Sequence, residues 1–551
     1  MQKNDTMQKN LFGEIEPMSL SIEEAATKAN VSTATIRNWI KTGYLSVISK
    51  GQVDLDGFNS FMMNVAGYEK LTQRANKLMK DEHDHVALSD FIKDYDGSRS
   101  WESLGHEYEG SLSNSYRNKE GIYYTPLNII DNMLEGLSIQ SDTTFLDPCC
   151  GSGNFIIQAI KKGVQPENVF GFDFDPNAVE ITRKRILEET GIDASQNIKR
   201  VDFLEDAFKL QNGIKYNLIF TNPPWGKKIP KKEKERFAML YGAGTSIDTT
   251  SLFYFACYNL LKKDGILGFL VQDALFNIGT FQDTRKHILQ NDLIRLIDYG
   301  KPFKGLLTKA YAFILRNKEL QNTSVNCESS TFNHKRNQVS FTKSPKSILN
   351  FWASKESAEV IEHVYSLPHI TLSGKAKWGL GIVTGNNSKF CTSTQKEGYV
   401  PVFKGSDITP KGLKKPTSFI PNDFSIYQQV APLELYQSDE KLIYKFISSK
   451  LVFYSDTEQR FILNSANFLV PSKSLNITSQ QLADLLSSDF MNWLFTSIFN
   501  THKILRGDIE QLPIHQGYFE GETSFDEKAF INFLGLSKSE NGTYRIKRSN
   551  N

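Results

Sequence analysis

The chain has 551 residues, too many for one hydrophobic core and enough for roughly two to four domains of ordinary size. A hydrophobic fraction of 40% excludes wholesale disorder, and a formal net charge of +2 neither supports nor excludes a polyanionic partner. Five scattered cysteines without paired spacing point to a reducing compartment and to no metal site.

The polar start, Met1 to Gly13, has no apolar core and does not read as a signal peptide. Met-Gln-Lys-Asn occurs at Met1 and again at Met7, so initiation at either stays open. The first region with a pattern is 18–67. Ser21 to Ala29 reads as a short helix with Ile22, Ala25, Ala26 and Ala29 on one face, and Ser21 with Glu24 forms a capping box. Asn30-Val31 makes a turn, and Ser32 caps a second helix, Thr33 to Lys41. Ile36 and Trp39 then point inward, and Thr35, Arg37, Asn38 and Lys41 outward, before Gly43 stops it. This looks like a winged, MerR-like helix-turn-helix, which implies docking to DNA or protein. A plain helical packing module is the alternative.

The second region, 86–317, alternates strands and helices. Thr144–Asp147, Asn168–Phe172, Ile198–Val201 and Asn217–Thr221 read as buried strands, with helices at Asn154–Lys162 and Asn177–Thr190. That pattern is α/β, a doubly wound Rossmann-like sheet, with ligands expected at the strand carboxyl ends. The apolar stretch Gly265–Phe276 is broken by Gln272 and Asp273, so it reads as a buried strand and turn rather than a membrane span. The polar segment Lys318–Gln338 reads as a linker. A third region, 343–551, is mixed α+β, with strand-like runs at Tyr399–Phe403 and Lys450–Tyr454 and a helical stretch from Ser479 to Phe499.

Chemistry concentrates at the ends of the expected strands. Phe145-Leu146-Asp147-Pro148-Cys149-Cys150-Gly151-Ser152-Gly153-Asn154 joins a strand to a helix through a glycine loop. It lacks the third glycine of a dinucleotide fingerprint and the Lys-Ser/Thr of a phosphate loop. An acid at Asp147 would repel a pyrophosphate but suits a cofactor carrying an ammonium and a sulfonium. Asp173, about 20 residues beyond the loop, can accept both ribose hydroxyls, with Phe174 beside it. Asp202-Phe203 ends the third strand, where an acid can accept from an adenine amino group and an aromatic can pack on its ring.

Asn222-Pro223-Pro224-Trp225 follows the fourth strand. Two prolines fix φ and remove two N–H donors, leaving the Asn222 side-chain oxygen and the Pro223 carbonyl as acceptors on a rigid turn. Two acceptors gripping the hydrogens of an exocyclic aromatic amine favour the pyramidal nitrogen that attacks a sulfonium methyl. Trp225 would stack on an extracted base. Lys227, Lys228, Lys231 and Lys232 follow at once and suit flanking phosphates, or else form a solvated helix face.

In these motifs and their order the chain resembles the gamma-class DNA adenine-N6 methyltransferases of restriction-modification systems. Tyr124-Thr125-Pro126 precedes the glycine loop as in that family. The resemblance implies S-adenosylmethionine as cofactor, with Thr125 near its methionine carboxylate and Asp147, Gly151 and Gly153 lining it. It also implies that Asp173 holds the ribose and that Asp202 and Phe203 hold the adenine. Leu252-Phe253 matches a later cofactor-side element, and Pro302-Phe303-Lys304-Gly305 the segment whose aromatic packs on the flipped base. More loosely, Gly379–Asn386, Lys441–Phe446, Asn464–Asn467 and Lys503–Asp508 resemble the C-terminal target-recognition domain of this class. Double-stranded DNA is then the partner, a separate cognate restriction endonuclease a possible second, and the bacterial cytoplasm the setting, with no membrane. Trp225 stands where Tyr or Phe is commoner, and the N-terminal module is an addition to the family core.

Rival readings remain at this stage. A cytosine-N4 enzyme uses the same amine chemistry, though Asn222 rather than Ser or Asp favours adenine. A cytosine-C5 enzyme needs a nucleophilic Cys after Pro, and Pro148-Cys149 lies inside the cofactor loop. A protein-glutamine methyltransferase would leave the C-terminal region without a role. A non-catalytic helix-turn-helix regulator would not need intact acceptor and cofactor motifs.

Overall fold

The computed structural model describes residues 7–9, 15–17, 19–29, 33–41, 45, 47–49, 51–59, 97, 99–112, 123–210, 213–303, 306, 308–320, 324–501 and 503–547. The chain divides into two compact units, 1–116 and 117–551.

In the first unit, the helix Ile22–Lys28 starts as its sequence dictates. Ser21 Oγ accepts from the Glu24 amide at 3.2 Å, and Glu24 Oε2 accepts from the Ser21 amide at 2.8 Å. The second helix, Thr33–Lys41, buries Ile36 and Trp39 and leaves Arg37 exposed, 3.8 Å from Glu23. A three-stranded antiparallel sheet, in the order Ser19–Ser21, Gln52–Asp54, Val47–Ser49, completes the small core. The expected turn at Asn30-Val31, the Ser32 cap, the Gly43 stop, the outward side chains of Thr35, Asn38 and Lys41, and the expected join between the first two regions lie outside the described residues.

The second unit is built on a nine-stranded mixed sheet. In chain order its strands are β1 Phe145–Asp147, β2 Val169–Asp173, β3 Ile198–Arg200, β4 Tyr216–Thr221, β5 Leu261–Gln272, β6 Asn291–Asp298, β7 Ala310–Glu319, β8 Ser324–Ser329 and β9 Asn333–Asn337. Their order across the sheet is β9-β8-β6-β7-β5-β4-β1-β2-β3. Strands β3, β2, β1, β4 and β5 run parallel, and β7 is antiparallel to both β5 and β6. The connecting helices include α1 Leu127–Met133, α2 Asn154–Lys161, α3 Pro176–Thr190, α4 Phe203–Leu210, α5 Lys231–Tyr241 and α6 Thr249–Tyr258.

The central strands are apolar on both faces because helices cover both. Leu146, Ile219 and Leu267 join one core cluster with Phe203 and Phe253, while Phe145, Leu218 and Phe220 join another with Ile156 and Ile129. That alternation is the two-residue period of a strand expressed in sequence. The four strands expected between residues 144 and 221 and the two helices between 154 and 190 form within one or two residues of their expected limits. Gly265–Phe276 is the end of β5 followed by a short helix, Ala274–Asn277. Among the described residues no helix is long and apolar enough to cross a membrane.

One expectation is overturned. Lys318–Gln338 is not a linker, because β8 and β9 lie within it and extend the sheet. β9 is the edge of the sheet and β8 its short neighbour, and on β8 Val325 and Cys327 alone are fully buried between polar neighbours. Such a strand is too polar in composition to stand out. Arg295 and Glu328 join β6 to β8 through two hydrogen bonds, of 2.9 and 2.7 Å.

Beyond β9 lie a four-stranded antiparallel sheet, in the order Ala376–Leu380, Ala466–Pro471, Lys441–Lys445, Phe453–Asp456, and a three-stranded sheet that includes Tyr399–Phe403. The helical stretch expected from Ser479 to Phe499 is two helices. Ser488 adopts an extended conformation between them and caps the second, its hydroxyl accepting from the Met491 amide at 3.1 Å. This part is tied to the nine-stranded part by Arg285, fully buried, which donates to the carbonyls of Leu275, Ile278, Lys346 and Ser347. Asn277 donates to the Phe499 carbonyl at 2.8 Å and Asn350 to the Ser497 carbonyl at 3.1 Å. Burial pulls the Arg285 guanidinium down to about 9, and nearby Asp508 holds it up. Arg285→Met leaves four carbonyls short of a donor, that of buried Leu275 among them. It is expected to lower unfolding free energy by about 3 kcal/mol, read as a shifted urea midpoint.

Candidate active site

The glycine loop after β1 is held from three sides. Cys150 donates its amide to the Phe172 carbonyl of β2 at 2.8 Å, and Gly153 donates to Cys150 O at 2.8 Å. Gly151 sits at φ +51, and a Cβ on it would lie 2.8 Å from the Tyr124 ring. Gly153 sits at φ +90, and a Cβ there would lie 2.9 Å from Thr182 of α3. Both therefore require glycine, for conformation and for room. Thr182 Oγ1 donates to the Gly151 carbonyl at 2.8 Å. Arg185, on the same helix and almost wholly buried, donates to Ser152 O at 2.6 Å and to Asn154 Oδ1 at 2.8 Å. Asn154 Nδ2 in turn donates to the Thr125 carbonyl at 3.3 Å, which puts Thr125 beside the loop.

Two carboxylates converge here. Asp147 is buried at the end of β1 and accepts from Thr221 Oγ1 at 2.7 Å and from the Cys149 amide at 3.1 Å. Burial pushes its pKa up to about 7, opposed by those two bonds. Asp173, at the end of β2, accepts from the amides of Gly151 and Asp175, each at 2.9 Å. Burial pushes it up to about 6. A pocket that raises two carboxyls in this way favours a ligand bringing positive charge. The same surroundings hold the Cys149 and Cys150 thiols well above their ordinary values through burial and the two acids, the reverse of what a nucleophilic thiolate requires.

The aromatic side of the pocket forms as the motifs suggest. Phe203, first residue of α4, stacks on Phe253 of α6 with ring centroids 5.6 Å apart, and on Phe172 at 6.4 Å. Asp202 precedes Phe203 and is exposed at the carboxyl end of β3. Phe174 is also exposed, its ring flanked by Arg200 at 5.6 Å and Lys227 at 5.3 Å.

Asn222 leaves the end of β4 in a fixed orientation. Its Nδ2 donates to the Tyr123 carbonyl at 2.5 Å. Its Oδ1 is buried and has no hydrogen-bond partner among the described residues. A buried amide oxygen without a donor is costly unless a ligand supplies one. Trp225 is buried, donates to the Leu270 carbonyl at 3.3 Å, and meets Phe303 edge-on, with centroids 5.1 Å apart and planes at 86°. Tyr123 closes the corner, 5.9 Å from Trp225 and 5.7 Å from Phe303. Trp225 and Phe303 are thus in direct contact, with no gap between them for a third ring. Lys304 and Gly305, next in that segment, lie outside the described residues.

Of the four lysines expected beside the site, Lys227 is half-buried at the rim near Phe174, with its carbonyl accepting from Thr249 Oγ1 at 2.8 Å. Lys228, Lys231 and Lys232 face solvent, and Lys231 lies 3.6 Å from Glu235.

Known proteins resemble this chain. The N-6 DNA methylase family model matches residues 99–363, and that of the TaqI-like C-terminal specificity domain matches 400–514. Type II methyltransferase M.VspI of Vibrio sp. (strain 343) is 48% identical over 410 residues, which is 74% of this chain and all of that protein. The chain belongs to the N-6 DNA methylase family. Modification methylase CviBIII of Paramecium bursaria Chlorella virus NC1A is 24% identical over 192 residues, 34% of this chain and 47% of that protein. Among solved structures, the type IIL restriction-modification enzyme MmeI in complex with DNA matches with a TM-score of 0.46 and 11% identity. That match covers 72% of this chain and 67% of MmeI. The N-6 DNA methylase match runs past Asn337, in keeping with β8 and β9 as part of the catalytic sheet.

Five residues of this family member's site escape sequence reasoning: Arg185, Asn154, Thr182, Thr221 and Tyr123. Thr221 was within reach, since a hydroxyl at the end of β4 beside β1 can meet Asp147. Arg185 was not, because in sequence it is one of several bases on a charged helix. Gly153→Ala is expected to cost about 3 kcal/mol, from positive φ plus the clash with Thr182. Gly191→Ala, at φ +72 with open space around it, should cost about 1 kcal/mol by urea unfolding. Equal costs would mean that the loop does not need the space.

Proposed function

We propose that this chain transfers a methyl group from S-adenosylmethionine to the N6 amino group of an adenine flipped out of duplex DNA. In this reading it is the modification enzyme of a restriction-modification system, with any cognate endonuclease a separate chain. The observation that carries the reading is the buried, partnerless Oδ1 of Asn222 beside an aromatic corner, one strand from a glycine loop with two perturbed acids.

The pocket's chemistry fits the cofactor. The loop has no room for a Cβ at Gly151 or Gly153, and the acids favour a cation. Asp147 and Thr125 would hold the methionine end, Asp173 the ribose, and Asp202, Phe174, Phe203 and Phe253 the adenine. When bound, S-adenosylmethionine supplies an electrophilic methyl on a sulfonium. Asn222 Oδ1, aimed by the Tyr123 carbonyl, accepts one N6 hydrogen, and the Pro223 carbonyl accepts the other. Their pull localises the nitrogen lone pair out of the ring and stabilises the positive charge that grows as the new bond forms. No covalent intermediate on the enzyme is needed, in accord with the raised cysteine thiols. The base would lie against the corner made by Tyr123, Trp225 and Phe303 rather than between two of these rings.

Lys227, Lys228, Lys231 and Lys232 would neutralise phosphates near the extruded base. Sequence reading falls to the region from 343 onward, with the catalytic region running on to Asn337. The two short helices and three-stranded sheet of the N-terminal unit suit a winged helix-turn-helix that adds DNA contacts.

Asn222→Ala should lower methylation of unmethylated plasmid DNA by at least about a hundredfold, with S-adenosylmethionine affinity within about threefold of wild type. Nucleoside analysis of the wild-type product should show N6-methyladenine. Label in N4-methylcytosine, or full activity in the variant, would refute the assignment. Protonating Asp147 and Asp173 removes the charge that a cationic cofactor needs. Its affinity should therefore fall as pH drops from about 8 to 5.5, by about tenfold or more, measured by titration calorimetry. A flat profile would exclude the two acids as its partners.

A further inference from the structure

The polar groups behind the glycine loop form a continuous line to Asn222. Arg185 fixes Asn154 Oδ1 as an acceptor at 2.8 Å, so the amide nitrogen must face the other way, where it donates to Thr125 O at 3.3 Å. Tyr124, the preceding residue, packs its ring on the face of Gly151 that lacks a Cβ. Tyr123, one residue earlier, takes the Asn222 amide hydrogen on its carbonyl at 2.5 Å. Three consecutive residues thus bind the loop helix, the loop itself and the acceptor side chain. Arg185, Asn154 and Thr125 are each more than nine-tenths buried.

A carboxamide has a donor end and an acceptor end, and fixing one fixes the other. With Nδ2 on the Tyr123 carbonyl, Oδ1 is the end of the carboxamide left without a donor among the described residues. Turned over, Asn222 would present N–H to the N–H of an incoming amine, leaving the Pro223 carbonyl to accept alone. The orientation on which amine recognition depends is therefore set by the position of one backbone carbonyl. That carbonyl is held by groups some distance from the substrate.

We infer that Arg185 and Asn154 are positioning residues for methyl transfer, acting through the strap 123–125 on the carboxamide of Asn222. This rests on the reading of Asn222 as the amine acceptor given above. The line also links the cofactor loop to the base site, so disturbing it affects the rate of the bound complex more than the assembly of that complex.

The test uses the full chain, unmethylated plasmid DNA and tritiated S-adenosylmethionine in single-turnover reactions with both substrates saturating. Asn154→Asp keeps the acceptor that Arg185 needs but sets a carboxylate oxygen against Thr125 O. It should slow transfer by about tenfold or more, with cofactor affinity within about threefold and a melting temperature within a few degrees of wild type. In an Asn222→Ser background, which has no amide to orient, Asn154→Asp should cost less than about twofold. Should Asn154→Asp fold poorly, Tyr124→Leu loosens the strap at its Gly151 contact and carries the same expectation. Unchanged transfer, or loss of cofactor affinity with transfer at saturation intact, overturns the proposal. Should the Asn222→Ser background be too slow to measure, the split between rate and affinity decides. Full activity in Asn222→Ala would instead bring down the acceptor reading, a distinct failure.

Discussion

Thr221 donates its hydroxyl hydrogen to the Asp147 carboxylate across adjacent parallel strands, β4 and β1, at the point where the sheet reverses its order. Strand order is 3-2-1 on one side of that point and 4-5 on the other, so the loops leaving β1 and β4 part to opposite faces and open a crevice. The bond pins the last residue of β4 to the acid that precedes the glycine loop. Asn222, the next residue, then has one place to go. The same bond favours the charged form of Asp147, whose pKa burial would otherwise push still higher.

From that junction the rest of the site follows by short covalent leashes. Two prolines turn the chain after Asn222 and deliver Trp225 to the face of the sheet where Phe303 and Tyr123 wait. Three acids and three phenylalanines stand at the ends of β1, β2 and β3 or against them, because a parallel sheet puts all its carboxyl ends on one edge. The glycine loop owes its shape to α3, which fills the space beside Gly153 with Thr182 and caps the loop carbonyls with Thr182 and Arg185. Stability and site geometry are here the same set of contacts.

The junction of catalytic and C-terminal parts shows a second use of buried charge. Arg285 spends its donors on four backbone carbonyls rather than on a carboxylate, with Asp508 near enough to lift its pKa. A guanidinium suits that duty because its planar fork donates in several fixed directions at once. The arrangement fixes the segment 346–347, where the chain leaves one part for the other, so the two parts keep a defined relation.

The sequence by itself determined the alternation of strands and helices from β1 to β4, the glycine loop, the acids at the strand ends and the Asn-Pro-Pro-Trp turn. These are local: a strand of apolar residues, a glycine that must take positive φ, and a proline that fixes φ declare themselves within a few positions. What only the tertiary structure decided was everything carried by partners far apart in the chain. The strands β8 and β9 looked like a linker because both are short and bury few apolar side chains. The helical run from 479 to 499 broke at Ser488 because a serine caps as readily as it continues. Trp225 and Phe303, 78 residues apart, met edge-on. Arg185 became a buried brace, Asn154 a relay, and Tyr123 the carbonyl that aims Asn222, because hydrogen bonds spanning 31 and 99 residues leave no periodic trace in sequence.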